Sequence, residues 1–182
     1  MKSVQSLKID TLASAGYLTG GELAEGTTKD TTMGELLGLA EGATTSINVT
    51  IGGKKNPIEL KADMKLSDFT SELQKLGLNA NFDEATNRFF IGASGTGEKN
   101  DFDINDAAVL KSLGLSTEGG AKKLEGTDAK IYLNDVMFES ATNTFDINGL
   151  TITCNATTGN DAITLTTQDD TSGVYDMIKD FI

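Results

Sequence analysis

Some stretches of this chain bring together residue types that do chemistry in other proteins. Gly92-Ala93-Ser94-Gly95-Thr96-Gly97-Glu98-Lys99 has the glycine spacing of a phosphate-binding loop. Such a loop needs a lysine directly after its last glycine, then Ser or Thr to hold magnesium. Here Glu98 takes the lysine's place and Asn100 follows Lys99, so a carboxylate would face the phosphate. The stretch reads as a strand-connecting loop. Asp101-Phe102-Asp103-Ile104-Asn105-Asp106 opens with the alternating oxygens of a calcium loop. That loop requires glycine at its sixth position and a bidentate glutamate at its twelfth, and Asp106 and Ser112 stand there instead. Phe102 and Ile104 fit a buried strand face. Asp169-Asp170 suit the positive end of a following helix better than a metal. Asn48-Val49-Thr50 and Asn155-Ala156-Thr157 fit the glycosylation triplet, but both fall in expected strands.

The chain has no histidine, which removes the usual general base near neutral pH and the commonest metal ligand. A histidine-containing triad is excluded with it. The lone cysteine, Cys154, excludes an internal disulfide framework and reads as a small residue packed in a strand. No catalytic, cofactor-binding or metal-binding residue is expected. The net charge of −12 and the pI near 4.3 disfavour nucleic acid and anionic lipid, which recruit basic patches. No apolar run of membrane-spanning length is present, so no membrane insertion is expected. The first residues, Met1-Lys2-Ser3-Val4-Gln5-Ser6, lack the apolar core of a cleavable secretion signal.

Hydrophobic alternation sets out the elements. Leu7-Lys8-Ile9-Asp10-Thr11-Leu12 reads as a half-buried strand, and 13–29 as an extended arm and loop. Thr32 with Glu35 gives a capping signature for a short helix. Ser46–Ile51 alternates strictly into Gly52-Gly53, a hairpin turn, with a return strand from Pro57. Ser67 is the expected cap of a helix with Phe69, Leu73 and Leu76 on one stripe, stopped by Gly77. Leu78–Phe82 and Arg88–Ile91 pair around a turn, Phe102–Ile104 follows, and a helix carrying Ala107, Val109, Leu110 and Leu113 ends at Gly114. Further strands run from Asp128 to Val136, Phe145 to Thr153 and Ala162 to Thr167.

After Thr171-Ser172, the residues Val174, Met177, Ile178, Phe181 and Ile182 stand at i, i+3, i+4, i+7 and i+8, one face of a helix. That face either packs on its own sheet or makes the first turns of a longer helix in a bundle or subunit contact; both readings stay open. It is the one candidate functional site.

The expected fold class is α+β, mostly β: two small β-rich domains, one inserted into the other, with short helices in the inserted one. The expected boundaries are 1–28 plus 127–182 for the discontinuous domain, 31–116 for the inserted α+β module and 117–126 for a linker.

Two segments carry a resemblance. Ile47–Gly53, Lys65–Phe69, Leu78–Ala80, Arg88–Gly95 and Leu110–Leu115 resemble the flagellin-hook insertion module. Asp128–Val136, Ser140–Phe145, Ile147–Ile152 and Ile178–Ile182 resemble the start of the carboxy-terminal region of the flagellar filament capping proteins, the hook-associated protein 2 (FliD) family. Leu7–Ala15 looks like the strand that follows that family's amino-terminal helices.

The resemblance implies a structural protein without catalysis. It would sit outside the bacterium at the flagellum tip, exported without a cleaved signal, and promote flagellin polymerisation as the filament elongates. Flagellin and further copies of itself are the implied partners: a ring-shaped homo-oligomer for the full-length protein, with this stretch alone monomeric. Rival readings are the variable outer domain of a large flagellin, and an adhesin or carbohydrate-binding module touching host glycan or mucin through Tyr17, Tyr132 or Tyr175.

Overall fold

The structure is a computed structural model, and it describes residues 2–105, 107–168 and 174–177. In chain order it contains β1 (Lys2–Thr11), β2 (Ala15–Thr19), α1 (Met33–Leu37), β3 (Thr44–Ile51), β4 (Lys54–Lys61), α2 (Leu66–Lys75), β5 (Asn79–Asp83), β6 (Arg88–Thr96), β7 (Phe102–Asn105) and α3 (Ala107–Ser112). There follow β8 (Lys122–Leu124), β9 (Ala129–Leu133), β10 (Val136–Ser140), β11 (Thr144–Ile147), β12 (Leu150–Cys154), β13 (Ile163–Gln168) and β14 (Val174–Met177). The class is mostly β with a few short helices, as expected.

The chain divides into two compact units. The first holds residues 1–14, 96–98 and 127–182; the second holds 15–95 and 99–126. These limits differ from those read off the sequence. Residues 15–28 and 117–126, expected with the outer domain and as a linker, belong to the second unit. The reason is a strand pair that neither composition nor alternation revealed: Tyr17 lies opposite Leu124 and Thr19 opposite Lys122 in an antiparallel ladder. The short run Ala-Gly-Tyr-Leu-Thr has too little alternation to stand out, yet β2 is an inner strand of its sheet.

In the first unit, a sheet of order β10-β9-β1-β13 and a sheet of order β11-β12-β14 share one core. Leu7, Ile9, Ile131 and Leu165 come from one sheet and Phe145, Ile152 and Cys154 from the other. The Asn134-Asp135 turn joins β9 to β10 with both residues at positive φ, 51° and 65°, as a type I′ hairpin demands. The β1–β9 register shifts between Ile9 and Thr11, an irregularity of the bulge type. Thr158 supports it: its hydroxyl accepts from the Ile9 N–H at 3.0 Å, and its own N–H donates to the Ile9 carbonyl at 3.0 Å. Asn143 does similar service for Ala13, accepting its N–H at 2.6 Å and donating to its carbonyl at 3.2 Å.

In the second unit, the sheets are β5-β6-β2-β8 and β4-β3-β7. Helix α2 supplies Leu66, Phe69 and Leu73 to the core. Phe69 and Phe82 both meet the Phe89 ring edge-on, at 5.6 and 5.1 Å between centroids. The α1 capping box forms as expected, with the Thr32 N–H donating to Glu35 at 2.8 Å and the Glu35 N–H to Thr32 Oγ1 at 3.2 Å. Helix α2 starts two positions earlier than Ser67 implied: Lys65 is its N-cap, and the Lys65 N–H donates to Asp68 at 3.0 Å. Strand β4 begins at Lys54 rather than Pro57. Pro57 is tolerated inside it because β4 is an edge strand and needs no N–H on its open side.

Candidate functional site

The expected amphipathic helix is not what stands at the end of the described chain. Val174 and Met177 bound β14, which pairs in parallel with β12, Thr151 opposite Val174 and Cys154 opposite Met177. Ile178, Phe181 and Ile182 lie outside the described residues, as do Thr171-Ser172. A physical reason is at hand for the strand. Val and Tyr favour extended backbone, the edge of β12 offers ladder partners, and a helix must first bear the cost of nucleation.

The glycine-rich stretch 92–99 is not a loop at its start. Gly92 to Thr96 lie in β6. Thr96 Oγ1 donates to the Ala141 carbonyl at 2.6 Å, the Gly97 N–H donates to the Ser14 carbonyl at 3.1 Å, and the Glu98 N–H donates to Asp128 at 2.9 Å. These groups fasten 96–98 into the first unit. The backbone donors that a phosphate would need are already engaged there.

The calcium-like stretch is used differently again. Asp101 Oδ1 accepts from Lys123 Nζ at 2.8 Å, and Oδ2 accepts from the Gly126 N–H at 2.9 Å. The Phe102 N–H also donates to Oδ1, at 2.8 Å. Both side chains are mostly buried, 15% exposed for Asp101 and 19% for Lys123. Lys123 Nζ stands 4.8 Å from the centre of the Phe102 ring. Burial raises the Asp101 carboxyl, but the bonds from Lys123, Gly126 and Phe102 outweigh it and hold the group below the ordinary carboxylate range. Phe102 itself is buried. The arrangement ties β8 to the start of β7 and leaves no room for a side chain at Gly16, whose added Cβ would collide with Asp101 Oδ1. Asp101 thus works as a clasp, and its sequence signal was a metal-loop mimic.

Cys154 is a buried free thiol. Burial pushes its pKa up to about 11, which leaves it a poor nucleophile at neutral pH.

What the structure assembles instead is an open sheet face in the second unit. Tyr17 is 40% exposed and Leu124, directly opposite it, 68%. The Tyr17 ring lies over Gly92, where an added Cβ would stand 3.2 Å from the ring edge. Beside it runs a cleft of about 580 Å³ that includes Tyr17, Phe90, Asn79, Asn81 and Gln74 in its walls. The Gln74 amide donates to the Ala80 carbonyl at 2.9 Å, occupying an acceptor on edge strand β5. Of the tyrosines considered for glycan contact, Tyr17 is on this face. Tyr132 is half-buried in the first unit with Lys8 Nζ 5.7 Å from its ring centre. Sequence reading picked out Tyr17 singly; the face itself was invisible because β2 and β8 were not recognised as strands.

Comparison with known proteins adds the following. Residues 126–182 match the family described as Flagellar hook-associated protein 2 C-terminus. The chain is 25% identical over 209 residues to A-type flagellar hook-associated protein 2 of Pseudomonas aeruginosa, an alignment that covers 100% of this chain and 42% of that protein. The chain therefore spans less than half the length of this curated relative. Its fold is similar to the D2-D3 domains of the flagellar cap protein FliD from Serratia marcescens, with TM-score 0.66 and 21% identity over 92% of this chain and 94% of that one. The corresponding domains from Escherichia coli give TM-score 0.65 and 20% identity over 93% and 89%. At these identities the structural likeness shows the fold. None of these proteins is named for a glycan or as a flagellin.

Proposed function

We infer that this chain, whose residues 126–182 match the family described as Flagellar hook-associated protein 2 C-terminus, forms the outer plate domains of a flagellar cap. The plate would sit at the filament tip, outside the cell, and help incoming flagellin add to the growing end. Its work would be mechanical: a self-assembled plate shields the tip and leaves a vacancy for the next subunit. Catalysis has no part in it.

The observation that carries this reading is the likeness of the fold to cap-protein D2-D3 domains over nearly the whole chain, joined by the family match over residues 126–182. The family region covers the strands from β9 onward. The two-unit fold matches cap-protein D2-D3 domains over 92% of the chain, which takes in the second unit, where the family model does not reach.

Complementation tests the proposal. The full-length gene that carries this chain should restore filaments and swimming to a cell lacking its own cap protein. An antibody to the second unit should label filament tips in electron micrographs. Cells that keep shedding unpolymerised flagellin, although the full-length protein is made and exported, would show the reading to be wrong.

A further inference from the structure

We propose that the Asn148-Gly149 turn is a site of spontaneous backbone modification, where the chain loses ammonia and gains an aspartate or an isoaspartate. The inference stands apart from the functional reading above: the substrate is the chain itself and the co-reactant is water.

The sequence holds a single Asn-Gly pair. The reaction joins the Gly149 backbone nitrogen to Asn148 Cγ. The Gly149 N–H proton goes to hydroxide, the bond from Cγ to the side-chain nitrogen breaks, and that nitrogen leaves as ammonia. A five-membered succinimide remains, and water opens it at either carbonyl. One opening gives an aspartate at 148. The other reroutes the main chain through the side-chain carbon and gives an isoaspartate. No oxidation state changes. Glycine as the following residue matters because a Cβ there would crowd the attacking nitrogen.

The first unit carries a second turn that serves as an internal control. Asn134-Asp135 and Asn148-Gly149 have positive φ at both positions, 51° and 65° in the one, 49° and 80° in the other. Both asparagines are exposed. The Asn134 side chain is held: its Oδ1 accepts from the Ser6 N–H at 3.0 Å and its Nδ2 donates to Gln5 Oε1 at 3.5 Å. The Asn134 N–H donates to the Ser6 carbonyl at 2.8 Å. Among the described residues the Asn148 carboxamide and the Gly149 N–H have no such partner. A Cβ added at Gly149 would meet nothing within 4 Å, so the space about the attacking nitrogen is open. The carbon under attack and the nitrogen that attacks are both free at 148–149. At 134–135 the first is fixed and the second is shielded by the Asp135 side chain.

The two products act differently on the fold. Asp-Gly suits this tight turn as well as Asn-Gly does, so the aspartate keeps the hairpin and adds a negative charge. The isoaspartate puts an extra main-chain carbon into a two-residue loop. Ile147 and Leu150 face each other across that loop, and Leu150 is buried. The β11–β12 register then no longer closes. Strand β11 is an edge strand that brings Phe145 to the core, so the damage loosens one edge of the sheet.

The test ages the full-length protein at neutral and mildly alkaline pH. Peptide mass mapping and isoaspartate methyltransferase with labelled S-adenosylmethionine read the products. The peptide with Asn148 should show the amide-to-acid mass change and take label about tenfold or more ahead of the one with Asn134, and faster as pH rises. Asn148→Gly keeps a pair suited to positive φ and should lose the label at this site, with an unchanged circular dichroism spectrum. Asp135→Gly makes the same pair where the carboxamide is held, and Asn134 should then still lag behind Asn148. Equal rates in that variant would refute the part given to the Ser6 and Gln5 bonds. An Asn148 that stays intact in the folded protein while the urea-unfolded chain reacts fully overturns the proposal, because the turn then guards the pair. So does a wild type in which Asn134 reacts as fast as Asn148.

Discussion

Asp101→Asn is the sharpest perturbation of the second unit. The change keeps the shape of the side chain and removes its charge. Three donors now meet the carboxylate: Lys123 Nζ at 2.8 Å, the Gly126 N–H at 2.9 Å and the Phe102 N–H at 2.8 Å. An amide has one acceptor oxygen, so its NH2 group must face a donor. A hydrogen bond to a charged group contributes about 1.5–3 kcal/mol, and breaking a fully buried pair costs about 3–5 kcal/mol. With 15–19% of each side chain still exposed, solvent moderates the loss, and about 2 kcal/mol is expected. Lys123→Met keeps the stem over Phe102 and leaves Asp101 its two backbone donors, so about 1 kcal/mol is expected there. The double variant should fall short of the sum by about 1 kcal/mol, because the two side chains bond each other. Urea denaturation followed by far-ultraviolet circular dichroism measures all of these, and exchange of the Gly126 amide reports the clasp locally. The sign with pH is fixed by the depressed carboxyl. Its contribution is complete above the unfolded pKa of ~4 and fades as pH falls through the lower folded value. Wild type and Asp101→Asn should therefore differ at pH 7 and draw together in acid. A gap that persists undiminished well below pH 4, or strict additivity in the double variant, would refute the clasp.

Other outcomes are as definite. Gly16→Ala should destabilise the second unit, because the new methyl meets Asp101 Oδ1; pairing it with Asp101→Ala should recover part of the loss, readable in the same urea series. Thr158→Val strips the Ile9 N–H of its acceptor at a buried site and should cost about 1–2 kcal/mol by thermal or urea unfolding. Phe69→Ala, at 0% exposure and edge-on to Phe89, should cost about 3–5 kcal/mol. Cys154, with its thiol near 11, should resist iodoacetamide at pH 8 in the native protein and react at once in urea; quick native-state alkylation measured by mass spectrometry would contradict its burial.

The parts of the fold legible in the sequence are those with a local physical cause. Ser46–Ile51 alternates because one face of β3 is buried, and Gly52-Gly53 turns at positive φ as a tight hairpin requires. Thr32 and Glu35 announce α1 because both halves of the capping box are within three residues. The strands that escaped notice depend on distant partners. Ala15–Thr19 and Lys122–Leu124 are more than a hundred residues apart in sequence, and Lys122–Leu124 gains its ladder only from that distant partner. Val174–Met177 has helical spacing of apolar residues, yet a neighbouring sheet edge overrode it, as tertiary context routinely does with weak local preference. The aromatic face inherits the same obscurity, since Tyr17, Phe90 and Leu124 become neighbours only once β2 sits between β6 and β8.

The return of residues 96–98 to the first unit has a kinetic side. That unit is stitched from separate pieces of chain, and the bond from Ile9 to Thr158 spans 149 residues. Closing so long a loop from an open coil is slow, and contacts of that separation delay folding. The second unit lies almost wholly inside the loop. Once it has folded, the stretch between Ser14 and Thr127 no longer behaves as free chain, and the entropy left to lose is that of short connecting pieces. The threading favours an order in which the inner unit forms first and the outer one closes around its ends, which pulse-labelled amide exchange of the two units would read.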